Sequence, residues 1–79
     1  MGGRISGRDV VSVLRQHGFE FVSRSGSHVT MRYRADDGEV RTVTIPMHDE
    51  IATGTLQNVA DQCGANDFHA WTEWIRAHR

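Results

Sequence analysis

Between Ser6 and Gly18 the chain reads SGRDVVSVLRQHG, and its apolar residues recur at helical spacing. Val10, Val13, Leu14 and His17 share one face, with Val11 beside them, which predicts an amphipathic helix. Ser6 and Asp9 stand at capping-box spacing at its start, and Gly18 supplies its C-terminal cap. The period then changes to two. FEFVSR puts Phe19 and Phe21 on one side, Ser25-Gly26-Ser27 marks a hairpin turn, and HVTMRYR alternates cleanly after it. In that second strand Val29, Met31 and Tyr33 face the core, while His28, Thr30, Arg32 and Arg34 face the other way. Asp37-Gly38 predicts a second turn, and VRTVTI a third strand ended by Pro46. Beyond it, TLQNVADQCG predicts a helix with Thr53 or Thr55 as N-cap, Gly64 as C-cap and a stripe of Leu56, Val59, Ala60 and Cys63. A last helix starts at Asn66, with Phe68, Trp71 and Ile75 on one face and Trp74 alongside.

These elements predict an α+β fold of order α-β-β-β-α plus one further C-terminal helix. A three-stranded antiparallel meander with helices packed on one face buries the apolar stripes economically. It leaves the sheet face that holds His28 and Arg32 open to solvent. The expected organisation is one domain over residues 1–79, with its core in 6–64 and a helical extension over 66–78.

A composition of 38% hydrophobic and 24% charged residues is that of a folded chain. No apolar run approaches the ~20 residues of a membrane span, so no membrane partner is expected. Without a hydrophobic leader, and with Cys63 as the single cysteine, the expectation is a cytoplasmic, reducing compartment. The net charge of −1 conceals a division. Residues 1–34 carry six arginines against two acids, whereas residues 35–75 carry one arginine against eight acids. All nine basic residues are arginine, whose planar fork suits bidentate phosphate contacts. The positive half is the half that contains His28.

That placement makes Gly26-Ser27-His28 the candidate constellation, with Arg24, Thr30, Arg32, Arg34 and Thr44 as neighbours. RNA cleavage without a metal needs a proton moved at the 2′-hydroxyl or at the leaving 5′-oxygen, and positive charge around the phosphorus. A histidine near neutral pH does the first. Arginines and the backbone N–H groups of a glycine turn do the second. A histidine at the start of a strand is by itself more often solvent-facing decoration. His48, in PMHDE, can approach His28 or cap the following segment. His17 suits a helix C-terminus, and His69 and His78 read as surface residues. No C-x-x-C or H-x₃₋₅-H spacing points to zinc, so neither a metal nor a cofactor is expected.

Taken together, the helix ending at Gly18-Phe19, Gly26-Ser27-His28, Ile45-Pro46-x-His48 and Ile51…Gly54-Thr55-Leu56 strongly resemble the HicA family of bacterial toxin–antitoxin mRNA interferases. The resemblance covers roughly residues 6 to 64. It implies a double-stranded-RNA-binding-like fold, a ribonuclease acting on mRNA, His28 as its catalytic residue, and a HicB-type antitoxin that covers His28. RNA-binding roles for Arg24, Arg32 and Arg34 rest on alternation and charge instead, those of Gly26 and Ser27 on the turn amides, that of Thr30 on its place beside them on the open face, and that of His48 on the approach it can make to His28. The absence of lysine and the extension WTEWIRAHR depart from the family pattern. Two other functions fit the same residues: a non-catalytic RNA-binding module, and a protein-interaction domain using the aromatic tail.

Overall fold

In the computed structural model, which describes residues 3–79, three helices and three strands follow in the order α1 (Gly7–Gln16), β1 (Glu20–Ser25), β2 (His28–Arg34), β3 (Val40–Pro46), α2 (Thr53–Gln62) and α3 (Phe68–His78). The α+β arrangement expected from the periodicities is present, the additional C-terminal helix included. Ser6 caps α1 through a complete capping box, in which its Oγ accepts from the Asp9 N–H (3.0 Å) and the Asp9 carboxylate accepts from the Ser6 N–H (3.1 Å). Both α1 and α2 end in the same hydrogen-bonded reversal. The Gly18 and Phe19 N–H groups donate to the Arg15 and Leu14 carbonyls, and those of Gly64 and Ala65 donate to the Asp61 and Ala60 carbonyls. Each reversal needs a left-handed residue, and glycine supplies it at φ 95° and 85°.

Two helix starts differ from expectation. The N-cap of α2 is Ala52, which has no side-chain acceptor, and neither Thr53 nor Thr55 serves. For α3 the cap is Asp67, not Asn66, and its carboxylate accepts from the Ala70 N–H at 3.0 Å.

The strands form one antiparallel sheet in the order β1-β2-β3. Val29, Met31, Val43 and Ile45 point into the core beside Val10, Val13 and Leu14 of α1, Leu56 and Val59 of α2, and Trp71 and Ile75 of α3. Complete burial of such side chains stabilises by about 1.5–3 kcal/mol each. The C-terminal helix is thus part of the core, and Trp71 is buried within it. Trp74, half-buried, lies 4.7 Å from the His17 ring, and His78 lies 5.1 Å from that ring in turn. His17 itself caps α1, its Nδ1–H donating to the Val13 carbonyl (2.7 Å). Arg79 ties the far end of α3 to α1 through Asp9 (3.1 Å).

One irregularity matters for everything that follows. Glu20 and Phe21 pair with Arg32 and Met31, but Ser23, Arg24 and Ser25 pair with Thr30, Val29 and His28. The register slips by one residue at Val22, a β-bulge. Phe21 pairs with the core residue Met31 but lies on the edge strand, with half of its surface exposed.

No helix among the described residues is long and apolar enough to cross a membrane.

Candidate functional site

The open sheet face is built from alternate residues of three strands. Cross-strand partners project on the same side of a sheet, so each ladder pairing defines a row. His28 lies between Ser25 and Pro46, Thr30 between Ser23 and Thr44, and Arg32 between Glu20 and Thr42. Arg34 stands opposite Val40 on the next row. His28 is exposed, Thr30 and Arg32 are half-buried and Arg34 is exposed. Four residues of strand separate His28 from Arg32, about 13 Å at the usual rise. Glu20 directly faces Arg32, so part of that arginine's charge is offset on its own row. A shallow depression lined by Glu20, Phe21, Val22, Arg32 and Arg34 marks that end of the face.

Gly26 and Ser27 hold His28 at the beginning of β2. Gly26 adopts φ 59°, which the tight β1–β2 turn requires. The Gly26 carbonyl accepts from Arg24 Nε (3.0 Å), and the Ser27 carbonyl accepts from the Met47 N–H (2.6 Å). The turn is therefore tied both to β1 and to the chain leaving β3. Thr44 contributes from the outer strand. Its N–H, on the free edge of β3, donates to the Gln62 side chain of α2 (2.8 Å), which blocks that edge.

Arg24, expected beside His28, lies elsewhere, and His48, of the two places open to it, does not take the one beside His28. Without the bulge at Val22, Arg24 would stand opposite His28 on the open face. The slip pairs it with the buried Val29 instead and turns it toward the helix-covered side. There Arg24 joins His48 in a recess of about 260 Å³, lined also by Ser6, Arg8, Met47 and Asp49. His28 is not among its lining residues. The structure brings together His28, Thr30, Arg32 and Arg34, and separately Arg24 and His48. Arg8 and Asp49 were not singled out by sequence reasoning. The signal available for Arg8 was its position in the first helical turn, two residues after the cap.

The recess is held by a close approach that sequence reasoning also missed. Gly7 is buried, and its N–H donates to the His48 carbonyl (2.9 Å). A Cβ there would collide with the Pro46 carbonyl oxygen and stand 2.7 Å from Met47 Cα. The β3–α2 connection is thus pinned against the start of α1, and Ile51 N–H donating to the Ile5 carbonyl (2.9 Å) pins it a second time.

Away from these surfaces, burial pushes the Cys63 thiol up to about 12, with the neighbouring Trp71 indole and Arg41 guanidinium opposing only in part. Trp71 Nε1 has no hydrogen-bond partner, so its contact with the sulfur falls short of hydrogen-bond geometry. Cys63 is a core thiol and has no part in the surface chemistry. No cluster of three or more His, Cys, Asp or Glu side chains placed to hold a metal occurs among the described residues.

Comparison with known protein families matches residues 7–65 to the family described as the HicA toxin of bacterial toxin–antitoxin systems. No curated protein gives a significant match. The family match runs from the first residue of α1 to the reversal that ends α2, and so contains both surfaces described above except Ser6.

Proposed function

This chain belongs to the HicA toxin family of bacterial toxin–antitoxin systems, and we propose that it acts there as an endoribonuclease that cleaves mRNA at the open sheet face. The observation that carries the reading is an exposed His28, presented by an intact Gly-Ser-His turn, on the same face as Arg32 and Arg34. In the reaction the 2′-oxygen of one nucleotide attacks the adjacent phosphorus and the bond to the 5′-oxygen breaks. One proton leaves the 2′-hydroxyl and one reaches the 5′-oxygen. His28 moves the proton at one of these two ends as general base or acid. Water or a second side chain serves the other, because one imidazole cannot do both at once. Ser27 and the turn amides hold the phosphate, and Arg32 draws the strand along the sheet toward Arg34. Thr30, between His28 and Arg32, offers a hydroxyl to the same strand.

The shape of the face supports one substrate class. It is shallow and open, which suits single-stranded or loop RNA whose bases are splayed away from a duplex. A toxin of this family acts with an antitoxin, and the partner we assign is a HicB-type protein that silences the chain by covering His28. The site of action is the cytoplasm, where mRNA is found.

Replacing His28 by Ala or Gln tests the reading. The variant should keep its fold by circular dichroism, lose RNA cleavage and no longer arrest growth. Full activity in either variant would remove His28 from the mechanism. A variant and a parent chain that both shift RNA in a gel and both leave it intact would establish a binding module instead.

A further inference from the structure

The recess between α1 and the β3–α2 connection is lined by Ser6, Arg8, Arg24, Met47, His48 and Asp49. Two guanidinium groups and an imidazole share it with one carboxylate. Neither Arg8 nor Arg24 has a carboxylate within ion-pair distance among the described residues. Arg24 is nonetheless positioned, since its Nε is engaged by the Gly26 carbonyl and its two terminal amino groups remain for another acceptor. Two of the amides at the start of α1 are already engaged. The Gly7 N–H is used by the His48 carbonyl, and the Asp9 N–H by Ser6 Oγ. The two guanidinium groups and the imidazole supply the main attraction, and the close packing of Gly7 on Pro46 and Met47 means the recess exists before anything enters it.

We infer that this recess is a second phosphate subsite, which takes a backbone phosphodiester of the same RNA strand next to the linkage held at His28. The inference rests on the reading of His28 as the cleavage site. Three connections join the two places. Arg24 is bonded to Gly26, the Met47 N–H donates to the Ser27 carbonyl, and His28 pairs in the sheet with Pro46, the residue before Met47. Both therefore lie at the same end of the sheet, on either side of the Gly-Ser-His turn. A strand passing over that end places one phosphate at His28 and a flanking one between Arg8 and Arg24. Guanidinium forks match the two free oxygens of a phosphodiester, and Asp49 sets the limit on how much negative charge the recess accepts. The subsite gives the toxin a preference for linkages inside a chain over those of a dinucleotide, which has no flanking phosphate.

The test uses the full chain carrying His28→Gln, so that bound RNA is not cut, and single-stranded RNA oligonucleotides of about ten nucleotides. Binding is measured across a range of salt concentrations. Adding Arg8→Ala should weaken binding roughly ten-fold, the scale of one lost charged hydrogen bond. It should also lower the slope of log K against log salt by about 0.7, one phosphate contact on a single strand. Arg8→Lys should recover most of the loss, and Asp49→Asn should tighten binding. Oligonucleotides carrying one neutral methylphosphonate at successive positions should reveal a linkage whose neutralisation weakens the parent but leaves Arg8→Ala unaffected. If the His28→Gln chain binds RNA normally and Arg8→Ala, Arg24→Ala and Asp49→Asn all leave affinity and slope unchanged, the subsite is overturned while the reading of His28 stands. If the same variants impair only antitoxin binding, the recess belongs to a protein interface and the inference fails. If the His28→Gln chain binds no RNA even at low salt, both fall together.

Discussion

Replacing Gly7 by alanine sets two simple rules against each other. Alanine is a better helix former than glycine by about 1 kcal/mol, and Gly7 opens α1, so propensity alone favours the variant. The structure predicts the reverse. A methyl group at Gly7 would stand 2.7 Å from Met47 Cα and collide with the Pro46 carbonyl oxygen. Carbon atoms in ordinary contact are about 3.5–4.0 Å apart, so Met47 must retreat by roughly 1 Å. Both obstructing atoms are backbone, in a segment pinned at His48 and Ile51, and no flexible side chain can yield in their place. Such overpacking costs about 1–3 kcal/mol. The Gly7 to His48 hydrogen bond, worth about 1 kcal/mol net, is strained at the same time. After subtracting the propensity gain, the expected loss is about 2 kcal/mol, and the melting temperature should fall by roughly 8–16 °C for a domain of this size. Circular dichroism melts of the two proteins measure it directly. Gly54→Ala is the control. Gly54 lies in the first turn of α2 with nothing near the position its Cβ would take, so that variant should be as stable as the parent or slightly more so. A Gly7→Ala protein that melts at or above the parent temperature would refute the close packing of α1 on the β3–α2 connection.

Three further outcomes follow from the packing and the titrating groups. Ile75→Ala should destabilise by about 2–5 kcal/mol in urea unfolding, because Ile75 is completely buried although it lies beyond the family match; a loss below about 1 kcal/mol would mean that α3 is dispensable. Burial of Asp9 raises its carboxyl pKa, but the Ser6 N–H and the Arg79 guanidinium outweigh that and hold it below the ordinary 3.8. Its contribution is complete above that value and is lost as pH falls below it. Asp9→Asn should therefore flatten the acid limb of a stability–pH profile, and an unchanged limb would contradict the assignment. Cys63, with its thiol pushed up to about 12 by burial, should react with iodoacetamide at pH 8 at least roughly a hundred-fold more slowly than in the unfolded chain. The same shift removes stability as pH rises from 9 toward 12, since the unfolded thiol ionises first. Rapid labelling of the folded protein would show an accessible thiolate.

Much of this architecture is legible along the chain because local chemistry and tertiary packing agree. Ser6 and Asp9 announce the start of α1, Gly18 and Gly64 announce two helix ends, and the alternation from His28 to Arg34 correctly divides β2 into a core face and an open face. The bulge at Val22 is not legible. No glycine or proline marks it, and it is set by how β1 meets β2. That one inserted residue explains the transfer of Arg24 from the face of His28 to the recess of His48. The start of α2 is missed for a different reason. Two threonines offer good caps, but Ile51 must reach the core and its N–H must meet the Ile5 carbonyl, which leaves Ala52 at the cap position. The close approach at Gly7 is likewise a contact between segments forty residues apart, which a helix-start pattern does not encode.

The central claim is that His28 moves a proton when RNA is cut on the open face. The most direct measurement is single-turnover cleavage of a defined RNA oligonucleotide in the presence of EDTA, by the parent chain and by His28→Gln. The account predicts that the parent cuts the RNA, that a 2′-O-methyl group at the cleaved nucleotide blocks it, and that His28→Gln, folded to the same extent, is slower by at least about a hundred-fold. Undiminished cleavage by His28→Gln would contradict it.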